Sequence, residues 1–374
     1  MRNTKSIYIH IPFCIKKCFY CDFYSEEYEE NLIEPYVNAL IKEINQVENS
    51  FCEIETIYFG GGTPSIIPAI YIGVILEEIK KKFKVSKNSE ITLEVNPATA
   101  DLDKLRKLKE VGINRLSIGC QSFSNKILKK LGRIHNENEA ISLYENARIT
   151  NFENVSIDLM FALPCQSLSD LKESLNTLIT LNPEHISIYE LSFEKDTPFG
   201  DDEKNLKNFV YEDPSEMTDL IEKTLIGYGY IQYEISNFAK KGFKSRHNQI
   251  YWKNEEYYGF GAGSVDFDGI NRTKKIDNLY KYISFFNENK NENIICFQEI
   301  LKPKERAFEI IMLGLRMNDG FDLRNATTYL SSQEIKILYE KISSMQDMLC
   351  LKGNVLKTTP KGARFLNDLL INIM

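Results

Sequence analysis

Ser6-Ile7-Tyr8-Ile9-His10-Ile11-Pro12-Phe13-Cys14-Ile15-Lys16-Lys17-Cys18-Phe19-Tyr20-Cys21 decides how the rest of the chain is read. The run from Ser6 to Ile11 is β-branched and aromatic, which predicts a strand. Three cysteines follow at once in a C-x3-C-x2-C spacing. Three is odd and the loop is short, so the thiols do not make a disulfide framework; they suit a metal centre. Zinc and most iron–sulfur sites take four ligands, and no fourth cysteine lies nearby. Three protein ligands leave one metal position open, which is how a metal site does chemistry rather than structure. A zinc ion with His10 or Asp22 as fourth ligand is the alternative. Structural zinc spacings, however, repeat a cysteine pair later in the chain, and no second pair exists here.

Outward from this stretch one pattern repeats to about residue 190. A short β-branched or aromatic run is followed by a turn and then an amphipathic stretch. Strands are expected at 7–11, 54–59, 90–95, 115–119, 154–160 and 185–191, and helices at 33–47, 69–83, 101–111, 136–150 and 169–181. Leu102, Leu105, Leu108 and Val111 recur at helical spacing with charges between them, an apolar stripe made to face a sheet. Strands alternating with helices predict βαβ units and a parallel sheet. The fold class is therefore α/β, a partial parallel (β/α)6 TIM-like barrel. The strand ends carry polar residues in register: the three cysteines, Gly60-Gly61-Gly62-Thr63-Pro64, Glu94, Gln121, Asp158 and Glu190. Parallel barrels build their sites at the C-terminal ends of the strands, so one face with one site is expected.

Beyond residue 200 the pattern changes. A helix at 214–229 and a strand at 228–235 lead into an aromatic, glycine-rich stretch at 246–267, and residues 287–293 read as a polar turn or linker. From Lys304 two helices, a short strand near Val355 and a final helix suggest a small helical, winged-helix-like domain. The expected divisions are 1–235 for the core, 236–303 for an extension of the sheet and 304–374 for the C-terminal domain. That last segment has ten basic and eight acidic residues. Such balance, with a formal net charge of −7 for the chain, argues against nucleic acid as a partner. The 374 residues are 43% hydrophobic and 26% charged, an ordinary globular composition. No run approaches the ~18–20 apolar residues of a membrane span, and the N-terminal apolar stretch is too short for a signal peptide. A cytoplasmic protein is expected, with Cys52, Cys120, Cys165, Cys296 and Cys350 as small buried hydrophobes in a reducing compartment.

Gly60 to Gly62 allow backbone to approach a ligand closely, and their carbonyls can accept from an ammonium group. The lysine of a phosphate loop is missing. Glu94 can take a ribose hydroxyl or an ammonium group, and Gln121, Arg133 and Asp158 can complete a polar lining. Arg246-His247-Asn248-Gln249-Ile250-Tyr251-Trp252 holds the only tryptophan and one of four histidines. Imidazole beside aromatic rings suits a haem, nitrogen for the iron and rings for the macrocycle. A histidine packed in an aromatic core is the other reading. His10, His135 and His185 have no such setting.

Together these residues resemble the HemN/HemW family of radical S-adenosylmethionine proteins over nearly the whole chain. The resemblance runs through Tyr8 to Cys14, Gly60 to Pro64, Asn114 to Phe123 and Ile157 to Pro164. It implies a curved partial barrel of the radical S-adenosylmethionine type. It also implies a 4Fe–4S cluster on Cys14, Cys18 and Cys21, whose free iron chelates the methionine end of S-adenosylmethionine. By position it implies that Tyr8, Gly61, Gly62, Thr63 and Glu94 line a first cofactor site. In oxidase-type members Tyr20, Gln121, Arg133 and Asp158 would line a second.

Two functions occur in that family. Some members are oxygen-independent coproporphyrinogen III oxidases; others are haem chaperones, which bind haem and deliver it to haem-requiring proteins. The oxidase pattern has another cysteine two residues after the third, where this chain has Phe23. The oxidases carry a longer extension before the first strand. The segment from His247 to Trp252 fits the H-N-x-x-Y-W motif of the chaperones, in which the histidine is implicated in haem binding. The resemblance thus implies a haem-binding and transfer protein, with haem-accepting clients, membrane-associated haem proteins included. The oxidase remains the alternative.

Overall fold

A computed structural model describes residues 4–47, 53–202, 213–288 and 293–373. The six expected strands are present: β1 (Ser6–Ile11), β2 (Glu53–Gly61), β3 (Lys84–Val95), β4 (Arg115–Gln121), β5 (Val155–Phe161) and β6 (His185–Glu190). They lie side by side in chain order and all pair in parallel. Helices α1 (Glu30–Gln46), α2 (Ala69–Lys82), α3 (Leu102–Glu110), α4 (Glu137–Ile149) and α5 (Leu168–Leu181) return the chain between them. The starts of α3, α4 and α5 are fixed by side-chain caps. Asp101 accepts from the Lys104 amide, and Asn136 with Glu139 and Ser167 with Asp170 form capping boxes.

The sheet grows at both ends. Beyond β6 lie two antiparallel strands, β7 (Ile231–Gln232) and β8 (Asn237–Ala239), and β9 (Tyr258–Phe260) pairs in parallel with β1. The order is β9-β1-β2-β3-β4-β5-β6-β8-β7. Among the described residues no pairing joins the two ends, so the barrel is partial.

Alternation within the strands sorts the two faces. Ile7, Ile9 and Ile11 of β1, Ile57 and Phe59 of β2, Leu116 and Ile118 of β4, and Ile157 and Leu159 of β5 are buried in one core cluster with the helices. Each such side chain contributes about 1.5–3 kcal/mol when removed from water. The intervening positions are polar or aromatic: Ser6, Tyr8 and His10; Thr56 and Tyr58; Glu90, Thr92 and Glu94; Arg115 and Ser117; Ser156 and Asp158; His185, Ser187 and Tyr189. The register aligns them in rows, with Tyr8 beside Tyr58 beside Thr92 beside Arg115.

The strand expected at 228–235 is much shorter. Gly229, at φ +87°, forms the turn after the helix Pro214–Gly227; Ile231–Gln232 joins the sheet, and Glu234 makes an isolated bridge to Met317. Strand β3 starts earlier than the polar sequence Ser86-Lys87-Asn88 suggested, because Lys84 and Val85 pair with Glu53 and Ile54. The C-terminal segment has its own apolar core, built from helices Pro303–Gly314, Ser332–Ser344 and Leu366–Ile373 around a hairpin of Leu349–Lys352 and Val355–Thr358. Cys120 is buried as expected, but Cys296 is exposed on the strand Ile295–Ile300, where its thiol donates to backbone carbonyls. Cys52 and most of the expected linker at 287–293 lie outside the described residues. Among the described residues no helix is long and apolar enough to cross a membrane.

Candidate functional site

The inner face of the sheet encloses a cavity of about 400 Å³. It is lined by Tyr20, Cys21, Gly61, Gly62, Thr63, Glu94, Gln121, Arg133 and Asp158, nine of the thirteen residues singled out in the sequence. A smaller chamber of about 180 Å³ holds Tyr8 and His247. The two spaces share Phe23, Tyr58, Gly61, Glu94 and Asn248, so they adjoin.

The cysteine loop leaves β1 and crosses the mouth of the cavity. The amide of Phe19 donates to the carbonyl of Leu131 at 3.1 Å, and that of Gly62 to Ile11 at 2.9 Å. Cys14 Sγ lies 3.4 Å from Thr63 Oγ1, and Arg133 Nη1 donates to Cys18 Sγ at 3.5 Å. Among the described residues no three histidine, cysteine or acidic side chains converge as ligands of a single metal ion.

The glycine turn is shaped by contact. Gly61 sits at φ +111°, and a Cβ there would fall 2.6 Å from the His10 ring. A Cβ on Gly62 would lie 2.7 Å from the Phe13 carbonyl and 3.1 Å from Cys14 Sγ. Only glycine lets the two loops meet.

Glu94 accepts from the Tyr58 hydroxyl at 2.8 Å, and burial pushes its carboxyl up to about 7. Asp158 accepts from Ser117 at 2.9 Å and from Ser156 at 3.0 Å; burial raises its pKa against the pull of these hydrogen bonds. Asp158 sits mid-strand rather than at a strand end, and faces the cavity through alternation. Glu190 does not line the cavity; Ser187 and Tyr189 of the same strand do. Gln121 adopts φ +66°, a left-handed conformation uncommon for a non-glycine residue.

His247 stands in the short helix α6 (Arg246–Trp252), beneath the sheet's inner face. It is 1% exposed. Nδ1 is 3.0 Å from both Ser6 Oγ and Thr56 Oγ1, Nε2 is 2.9 Å from the Tyr251 hydroxyl, and the backbone amide donates to Glu90. The Tyr58 ring stacks on it at 4.9 Å. Burial holds its pKa down to about 3, so the ring is neutral. This is a histidine packed among hydroxyls and rings, with both nitrogens engaged, as the second sequence reading described.

Arg115, Ser117, Ser187, Tyr189, Asn248 and Tyr58 line the cavity without having been singled out. Asn248 follows His247 within the motif, and Tyr58 is the neighbour of Tyr8 across β1 and β2. Period-two alternation was the signal that would have found the strand residues.

A family model described as the radical SAM superfamily matches residues 8–178, and one for the HemN C-terminal domain matches residues 301–365. A protein of Bacillus subtilis (strain 168) named heme chaperone HemW is 39% identical over 321 residues, covering 84% of each chain. The chain belongs to the HemW family. A HemW of Escherichia coli (strain K12) is 37% identical and covers 98% of this chain and 97% of its own length. Among solved structures, coproporphyrinogen III oxidase (HemN) from Escherichia coli superposes with a TM-score of 0.81 over 100% of this chain and 90% of that one, at 20% identity. At that identity the likeness is one of fold. The fold is thus the radical SAM type shared by HemN and HemW.

Proposed function

We propose that this protein is a haem chaperone: it binds haem and passes it to haem-dependent proteins, from a radical S-adenosylmethionine scaffold. The observation that carries the reading is the near full-length similarity to relatives named heme chaperone HemW. Phe23, standing where the oxidase pattern has a cysteine, supports it.

The residues present fit a 4Fe–4S cluster. Three thiols lie on one loop with Cys21 lining the cavity, Arg133 donates to Cys18, and the glycine turn leaves room beside Cys14 that a Cβ would fill. Cys14, Cys18 and Cys21 would hold it. Such a cluster supplies a single electron and an open iron for the amine and carboxylate of S-adenosylmethionine. Around that ligand Glu94 offers an acceptor for a cation, Thr63 and the glycine backbone offer polar contacts, and Tyr58 orients Glu94 through its hydroxyl. Gln121, Arg133 and Asp158 form the facing polar wall. Haem ligation by His247 would require the Tyr251 hydroxyl to leave Nε2. Clients are haem-requiring proteins, and the proposed setting is the cytoplasm.

The oxidase reading has the superposition on HemN in its favour, which speaks for fold alone. Incubation of the reconstituted protein with coproporphyrinogen III, S-adenosylmethionine and a reductant separates the two. The chaperone reading expects no protoporphyrinogen; steady turnover to it would replace that reading with the oxidase.

A further inference from the structure

Arg115 lines the larger cavity and is the largest side chain that the fold buries almost completely. It stands one step below Glu94 and Ser117 on the inner face, in register with Thr92. Its Nε has no hydrogen-bond partner, and among the described residues it makes no ion pair. A guanidinium keeps its charge and is almost never buried unpaired. The two acids of the cavity are engaged by hydroxyls instead: Asp158 by Ser117 and Ser156, Glu94 by Tyr58. Burial raises both carboxyls, and the charge of Arg115 opposes this from beyond contact. Its neighbours on either side are unsatisfied too. Thr92, fully buried, has no partner for Oγ1, and Asn154, the residue before β5, has none for Oδ1. Buried polar atoms are nearly always paired, so three orphans side by side mark a place where something else binds.

The charge selects the chemistry. Water would satisfy the hydrogen bonds but leave a buried cation uncompensated. An ammonium or sulfonium would be repelled. A carboxylate answers both needs, because the edge of a guanidinium that carries Nε and one Nη takes it side-on through two parallel hydrogen bonds. The Thr92 hydroxyl can donate to the same group, and the Asn154 amide, turned over, can present its nitrogen. Carboxylates occur on both ligand classes considered above, one on S-adenosylmethionine and two on haem.

We propose that Arg115, with Thr92 beside it, is the carboxylate receptor of the cavity. This rests on the cavity being a ligand site and adds which chemical group its base takes. The reconstituted full chain and Arg115→Gln are titrated with two pairs of ligands, each with and without free carboxylates. One pair is S-adenosylmethionine and its decarboxylated form; the other is protoporphyrin IX and its dimethyl ester. In one pair, losing the carboxylate weakens binding to the wild type about ten- to a hundredfold more than to Arg115→Gln, the scale of charge-assisted hydrogen bonds. That pair identifies the source of the carboxylate. Any other contact that the carboxylate makes is common to both proteins and cancels in the comparison. Arg115→Lys, which keeps the charge but loses the fork, shows an intermediate difference, and it carries the comparison if the glutamine variant does not fold. Equal losses in wild type and variants for both pairs would mean that water alone fills the base of the cavity, and would overturn the receptor while the ligand site stands. A wild type that binds neither S-adenosylmethionine nor protoporphyrin IX would overturn the ligand site itself.

Discussion

His247 has two roles in tension. Its motif associates it with haem, while its surroundings make it a tie between strands. It touches Ser6 of β1 and Thr56 of β2, donates its backbone amide to Glu90 of β3, and meets the Tyr251 hydroxyl at Nε2. Removing the ring would leave buried hydroxyls without their partner and a void beneath Tyr58. His247→Ala should therefore cost about 2–4 kcal/mol of stability in the absence of haem, read as a lower urea midpoint. An unchanged midpoint would show that the ring is not holding the strands. A packed histidine was one of two readings of the sequence, but its partners were not legible, because Ser6 and Thr56 lie far away in the chain. The three cysteines proposed as cluster ligands, by contrast, could be named directly, since they lie within one loop.

The strands and helices of the core were legible because each βα unit states its own periodicity. What alternation added is the lining of the cavity. The sequence places the polar residues, Glu190 among them, at the strand ends. The inner face is polar along the length of each strand, so Asp158 enters from mid-strand and Arg115, 1% exposed, from the first position of β4. The glycine turn is the element on which the loop depends. Its backbone accepts no Cβ at Gly62 without pushing on Phe13 and Cys14. Gly62→Ala should thus displace the thiol loop while leaving the sheet intact. The expected result is a clear loss of bound iron after anaerobic reconstitution, with far-ultraviolet circular dichroism unchanged. Full iron content in this variant would mean the loop tolerates the shift.

Across the whole molecule, the charge states of buried groups set how stability follows pH. All four histidines are buried, and burial lowers each of them: His10 to about 4, His135 and His247 to about 3, and His185 in the same direction. Their folded values lie below the unfolded 6.5, so the unfolded chain takes up protons that the fold refuses. Stability is complete above about 6.5 and falls as pH drops toward 4, by up to about 1.4 kcal/mol per pH unit for each histidine. Glu94 works the other way. Its folded value of about 7 exceeds the unfolded 4.5, so its contribution is present below 4.5 and lost as pH rises through 7. Asp158, Glu190 and Glu234, which burial also raises, act in the same sense as Glu94. The four lowered histidines set the sign, and the urea midpoint should fall between about pH 6 and 5, above the range of ordinary carboxylates. A flat profile there would contradict neutral burial of the histidines. Haem binding is read most simply from an equilibrium titration of the reconstituted full chain with haemin, followed at the Soret band. A shifted band that saturates at a fixed stoichiometry is expected. A linear rise identical to haemin in buffer would contradict it.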